Sequence, residues 1–128
     1  MTTKNTATTE TVREKFAKAH IDQAVLHEIT QIAFGNGGHD GGGEPIEPDG
    51  TETQVPGEFL KKSIESSEYE DLATAKIIGE LDYNEGNGEE VSACGLYDAN
   101  DDLVGLKTFY PINKDDEMKI KVTWKEKF

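Results

Sequence analysis

The sequence predicts an α+β protein that is mainly β: an N-terminal helix packed on an antiparallel sheet of about five strands, closed over as a sandwich or a partial barrel. Three observations carry this expectation. Met118, Ile120, Val122 and Trp124 alternate strictly with Lys119, Lys121, Thr123 and Lys125, the two-residue period of a half-buried strand. Two short apolar runs between Val91 and Phe109 flank the corner Asp98-Ala-Asn-Asp-Asp102, which reads as strand, tight turn, strand. Near the start, Val12, Phe16 and Ala19 fall on one helical stripe.

Taken in order, residues 1–8 are Thr-rich and polar and read as frayed. Thr11 followed by Glu14 fits a capping box, so a helix is expected from about residue 10 to 20, with Arg13, Glu14, Lys15 and Lys18 facing water. Ala24 to Phe34 reads as a strand, with Ile32 and Phe34 on one face beside Thr30, and Ile29 and Ala33 on the other. A helical reading of Asp22 to Ile29 competes for its beginning. Residues 35–58 hold eight of the thirteen glycines, three of the four prolines and six acids, with no lysine or arginine. Nothing periodic survives there, and a long mobile loop is expected.

Phe59, Leu60 and Ile64 fit a short helix or an extended edge equally well. From Leu72 to Leu81, Ala73, Ala75, Ile77, Gly79 and Leu81 make one apolar face, and Leu72, Thr74, Lys76, Ile78 and Glu80 make a mixed one. Asn84 to Glu89 is a turn by composition, and Pro111 to Glu117 is a second polar connection. The lysines of the last strand form a basic stripe on an acidic molecule. Such a stripe blunts an edge strand against aggregation or pairs with acids on the neighbouring strand.

A chain of 128 residues makes one domain, spanning 1–128. Thirteen basic residues against twenty-six acidic ones leave a net charge of −13. That surface repels phosphate, so neither nucleic acid nor an anionic membrane is an expected partner. No apolar stretch approaches the roughly 18 residues of a membrane helix, and the N-terminus has no apolar core of a secretory signal. Synthesis in a cytoplasm is expected. Cys94 is the only cysteine, so no intrachain disulfide forms, and its mid-strand place between Ala93 and Gly95 reads as a packed thiol rather than a nucleophile.

Candidate chemistry is thin. His39, Asp40, Glu44, Glu47 and Asp49 are the one group of residues with metal-ligand character, a carboxylate and imidazole set inside the glycine-rich segment. Ordering so floppy a segment costs backbone entropy of about 1–2 kcal/mol per residue, so a solvated polar loop is the simpler reading and no metal is expected. Asp98, Asn100 and Asp102 superficially resemble the start of a calcium loop. The sixth position is Leu103 instead of glycine and the twelfth is Phe109 instead of glutamate, so a hairpin turn explains them better. The glycines at 35–43 lack the lysine and the helix of a phosphate loop. His20, His27 and His39 have no serine or cysteine partner in a recognisable motif, and no carboxylate pair stands out as acid and base. No catalytic site and no cofactor are expected.

Two segments add a resemblance. Ile29-Thr-Gln-Ile-Ala-Phe-Gly-Asn-Gly-Gly38 resembles the opening "I-T-x-I-A-x-G-x-G" of bacteriophage tail-collar and tail-fibre proteins. Glu90-Val-Ser-Ala-Cys-Gly-Leu-Tyr-Asp-Ala-Asn-Asp-Asp-Leu-Val104 is similar to their "I-x-E-x-G-L-F-D-x-x-G-x-L-(V/I)" segment. Order and separation also match, over roughly residues 20–128. The chain departs from the family where its acid is replaced by Ala93 or Cys94 and its turn glycine by Asp101 or Asp102. Fibre proteins continue into a shaft and a receptor-binding tip, so the resemblance implies the particle-proximal module.

What the resemblance implies is a structural protein of a phage or prophage tail, such as a collar, fibre-attachment or baseplate component. It would be made in the bacterial host cytoplasm, sit in the virion tail and act by binding other tail proteins. Such family members are typically oligomeric, often trimeric, which puts Phe109, Ile120, Val122 and Trp124 forward as interface residues. The alternative from the residues alone is a cation- or carbohydrate-binding module using 39–49. A hydrolase with a carboxylate pair is a third class for which no substrate suggests itself.

Overall fold

The computed structural model describes residues 2–3, 5–22 and 24–127. In chain order the elements are β1 (Thr2–Thr3), β2 (Thr6–Thr8), α1 (Glu10–Asp22), β3 (Ile29–Gly35), β4 (Glu58–Ser63), β5 (Ser66–Asp71), β6 (Thr74–Leu81), β7 (Glu90–Asp98), β8 (Leu103–Asn113) and β9 (Ile120–Lys127). Six strands form one sheet in the order β1-β2-β8-β7-β3-β4, and three form another in the order β5-β6-β9. Every pairing is antiparallel. The fold is α+β and mainly β, as expected.

The sheets face one another, so the closure is a sandwich. Ile32, Phe34, Cys94, Leu96 and Val104 of the larger sheet meet Ile77, Leu81 and Trp124 of the smaller one in a shared apolar core. Removing such side chains from water is the dominant favourable term in folding. Gly79 lets the layers approach: a Cβ there would sit 2.7 Å from the Ile32 side chain. Val12 of α1 reaches the end of this core, with Phe16 packed beside it. The apolar face of the large sheet is thus closed by three strands of the same chain, and the helix covers only a corner.

That closure corrects the interface expectation for Trp124. Trp124 is 2% exposed and lies inside the core, while Phe109, Ile120 and Val122 pack half-buried against it. A side chain already withdrawn from water has no surface left to bury against a sister subunit. Trp124 Nε1 donates to Glu126 Oε2 at 3.0 Å, and Glu126 Oε1 accepts from the Thr8 hydroxyl at 2.8 Å. The alternation in β9 is the signature of intramolecular burial.

The N-terminal residues also differ from expectation. Instead of fraying, they carry β1 and β2, with Ala7 opposite Leu106 on β8 (Met1 and Lys4 lie outside the described residues). This pairing fixes the chain through Thr8, so Thr9 caps α1 and Thr11 is already helical. The Thr9 Oγ1 accepts the Val12 amide at 3.4 Å, and its carbonyl accepts the Arg13 amide at 3.2 Å. A long-range pairing invisible in local sequence moved the cap by two residues.

Strand β3 begins at Ile29, later than the expected Ala24, because its partner β7 ends at Asp98, opposite Ile29. A register shift between Ile29 and Gln31 turns Ile29 to the core side, while Ile32 and Phe34 face the core and Ala33 faces away as read from the sequence. The stretch at Phe59–Leu60 is an extended edge, β4. Strand β5 had no sequence signal, since Ser-Ser-Glu-Tyr-Glu-Asp is polar and every residue in it is exposed. The polar connection expected at Pro111 starts later, because β8 runs to Asn113.

The lysine stripe pairs across the small sheet. Lys125 meets Glu70 at 2.7 Å, Lys76 meets Glu68 at 3.4 Å, and Lys119 lies 3.6 Å from Glu80 and 3.8 Å from Asp82. These are exposed pairs and add little stability individually.

Candidate functional site

The second face of the large sheet carries the segment with the strongest compositional signal. Residues 36–57 fold back onto β7 and β8 as an ordered strap, against the expectation of a mobile loop. Val55 is buried among Ala33, Ala93, Tyr97, Leu103 and Leu106. Backbone bonds stitch both ends: the Asn36 amide to the Gly57 carbonyl at 3.2 Å and the Gly37 amide to the Pro56 carbonyl at 3.1 Å. The Thr108 hydroxyl holds the Ile46 carbonyl at 2.8 Å, and the Glu10 amide holds the Gly50 carbonyl at 2.8 Å. Gly38 is needed for close approach. A Cβ on Gly38 would sit 2.3 Å from the Ser92 carbonyl oxygen. The entropy of ordering this segment is opposed by the burial of Val55 and by hydrogen bonds at both of its ends and at Ile46 and Gly50.

Within the strap, His39 to Pro45 forms a bridge closed by a turn, with the Ile46 amide bonded to the Gly38 carbonyl at 2.9 Å. Four of the five candidate metal ligands have separate partners. Asp40 Oδ1 accepts the amides of Gly42 at 2.8 Å and Glu44 at 3.0 Å, which shapes the turn. Glu44 Oε2 accepts the Tyr110 hydroxyl at 3.0 Å. Asp49 Oδ1 accepts the Thr51 amide at 2.9 Å and hydroxyl at 2.6 Å, which holds its carboxyl below the usual carboxylate range. Glu47 is exposed. Among the described residues no three His, Cys, Asp or Glu side chains converge as metal ligands.

His39 acquires partners that its sequence neighbours do not supply. A register shift between Val91 and Ala93 presents Ser92 to the strap. The Ser92 Oγ accepts the Gly38 amide at 2.9 Å and lies 2.7 Å from His39 Nδ1, while His39 Nε2 is 3.4 Å from Glu90. Serine, histidine and carboxylate together suggest nucleophilic chemistry. Ser92 is fully buried, however, and its hydroxyl oxygen is capped by the Gly38 amide on the strap side. In this arrangement the trio fastens the strap to β7.

A second clamp holds the far end of the strap. The Tyr97 hydroxyl accepts the Val55 amide at 3.2 Å and donates to Glu58 Oε1 at 2.6 Å. Burial, helped by Glu58, pushes the Tyr97 phenol well above its ordinary range. Lys61 lies 3.8 Å from the ring centroid and also pairs with Asp101.

The Asp/Asn corner is a hairpin turn, as read from the sequence, with Asp101 in the left-handed region at φ 63°. Asp98 is 2% exposed. Its Oδ1 accepts the Asn100 amide at 2.9 Å and the Asp102 amide at 3.1 Å, and its Oδ2 accepts Lys15 Nζ at 2.7 Å. Lys15 also reaches Asp102 at 2.5 Å. The ammonium of α1 thus pairs with two carboxylates of the turn. This link between helix and hairpin has no local sequence signature.

The Lys15 hydrogen bond holds the Asp102 carboxyl below its usual range, and Lys62 does the same for Glu85. Both groups bind fewer protons folded than unfolded near pH 4, so stability is fully present above their unfolded values and falls as pH drops through the folded ones. Melting temperature should therefore be flat from about pH 7 to 5 and decline below about pH 4. A maximum below that range would refute the assignment.

Cys94 is fully buried on the core side of β7, and desolvation pushes its thiol up to about 12. At about pH 8 the native protein should not react with a thiol reagent, whereas the chain unfolded in guanidinium should give its full equivalent. Rapid labelling of the native chain would show that the core opens.

One side of the sandwich is open. Val12, Phe16, Leu26, Ile29 and Val104 line a groove of about 330 Å³ with the Lys15–Asp98 pair at its rim. It continues past Glu28 and Ile29 into a second hollow of about 310 Å³ under β5, bounded by Tyr69, Ala75 and Ile77. His27 lies on the first groove, and His20 is exposed on α1. Ile21, Val25, Leu26, Tyr69 and Leu72 are exposed. Their sequence signal was weak: apolar residues without period between helix and strand, and one tyrosine in a polar run.

No protein-family model matches the chain, and neither the curated proteins nor the solved structures yield a match.

Proposed function

We propose that this chain is a structural component of a phage or prophage tail, a collar, fibre-attachment or baseplate module that works by protein–protein contact. The observation that carries the reading is the placement of the two segments that resemble tail-collar and tail-fibre proteins. They are sequentially distant, yet they pair in register as β3 and β7, with Ile32 opposite Leu96, Ala33 opposite Gly95 and Phe34 opposite Cys94. The intervening glycine-rich segment straps the same two strands. The resemblance thus falls on one contiguous structural unit, as an inherited module requires. The buried state of Cys94 and Ser92 supports the same reading, because the two candidate nucleophiles best placed by the fold face no open cleft. The partners are other tail proteins, and the place of action is the virion tail.

The test is direct. Antibody against the purified chain should label tails of particles released from an induced bacterial culture that carries the gene. Particles that contain none of this chain would refute the reading. A glycan-binding role for the strap keeps one favourable observation, Tyr110 exposed beside Glu44. Titration with mixed oligosaccharides that leaves the tyrosine fluorescence unchanged at millimolar ligand would dismiss it.

A further inference from the structure

The small sheet ends in two unpaired strands, β5 on one side and β9 on the other. Their chemistry is opposite. Strand β5 contains Glu68, Glu70 and Asp71 and no base. Strand β9 contains Lys121, Lys125 and Lys127 against the single acid Glu126, which is buried inward. The pairing register with β6 fixes which side chains share the outer face: Glu68 lies opposite Lys76, and Lys76 opposite Lys125. Glu68, Glu70, Lys121, Lys125 and Lys127 all stand exposed in or beside that solvent-facing layer.

We propose that β9 of one copy adds to β5 of a second copy, extending the three-stranded sheet from molecule to molecule. An open strand edge is a template for another strand, because its amides and carbonyls lack partners. Charge selects which strand. Two β5 edges would set glutamate against glutamate, and two β9 edges would set lysine against lysine, both unfavourable when directly opposed. Within one chain Glu70 already meets Lys125 and Glu68 meets Lys76 across the outer face, and joining β5 to β9 of a neighbour continues the same alternation of acid and lysine. On the inner face it brings Tyr69, which overhangs the groove and is 85% exposed, toward Ile120 and Val122 of the neighbour. Each edge rejects its own kind and accepts the other, so the contact is head-to-tail. Such contacts close into rings or run on as filaments. The net charge of −13 opposes crowding of copies, so the association is weak and concentration-dependent.

This names the self-contact within the assembly role proposed above and rests on that reading only for its biological setting. The experiment measures mass by light scattering from about 10 μM to 1 mM at low salt. The wild-type mass should rise with concentration and return to that of one chain in high salt. The variants Glu68→Lys/Glu70→Lys and Lys121→Glu/Lys125→Glu should each remain monomeric, and an equimolar mixture of them should associate again. Restoration in the mixture establishes that both variants are folded and that the edges recognise each other by charge. A wild type that stays monomeric throughout overturns the proposal. So does association that neither reversal weakens, or variants that do not complement. A chain that self-associates yet is absent from particles would remove the tail reading alone, and a monomeric chain found in particles would remove this one alone.

Discussion

Trp124→Ala should cost about 3–5 kcal/mol of unfolding free energy, the largest loss expected from a single truncation in this molecule. The indole is the largest fully buried side chain, and it fills the space between the sheets. Gly105 stands directly against it, where a Cβ would lie 3.0 Å from the ring. Alanine would leave a cavity that the paired strands β6 and β9 cannot collapse without breaking their register. It would also strip Glu126 of its indole donor and leave that buried carboxylate with the Thr8 hydroxyl. Trp124→Phe separates these effects, since it keeps most of the volume and removes the donor; about 1–2 kcal/mol is expected. Urea denaturation should show a lower midpoint with little change in slope. A Trp124→Ala protein as stable as the wild type but altered in mass would return the residue to a subunit interface.

Asp98→Ala should cost about 3 kcal/mol. The carboxylate is buried, shapes the β7–β8 turn through two backbone amides and anchors α1 through Lys15. Alanine leaves both amides without their acceptor and the Lys15 ammonium with Asp102 alone. Asp98→Asn keeps one oxygen for the turn and gives up the charge, and about 1 kcal/mol is expected because Asp102 still pairs Lys15. The ratio of the two losses in denaturant titrations divides the turn from the ion pair. Equal losses would mean that the charge, rather than the turn, is what the site contributes.

These two positions show how far local sequence reaches. The faces of β9 and β6 followed from alternation alone, because each strand buries one face and leaves the other in water. The Asp98 corner was legible as a turn because Asp and Asn tolerate the backbone angles a tight hairpin needs. What decided Trp124 was the identity of the partner surface, and alternation says only that a face is covered. Strand β5 escaped notice because it buries neither face, so its extended shape is imposed by β6. The strap at 36–57 was misread for a related reason. Gly38 serves close backbone contact with β7 and Gly37 close contact with Pro56, and such contacts have no periodicity to betray them. Lys15 and Asp98 are 83 residues apart in sequence, and His39 and Ser92 are 53 apart. Both pairs exist only because the sheet order brings their elements together.

The hydrogen bond from Thr8 to Glu126 joins the start of the chain to its finish. Strand β2 and the end of β9 therefore meet at a single corner of the sandwich. Joining the two ends by a short linker and reopening the chain at the fully exposed Leu72, in the β5–β6 turn, should give a circular permutant with its layers intact.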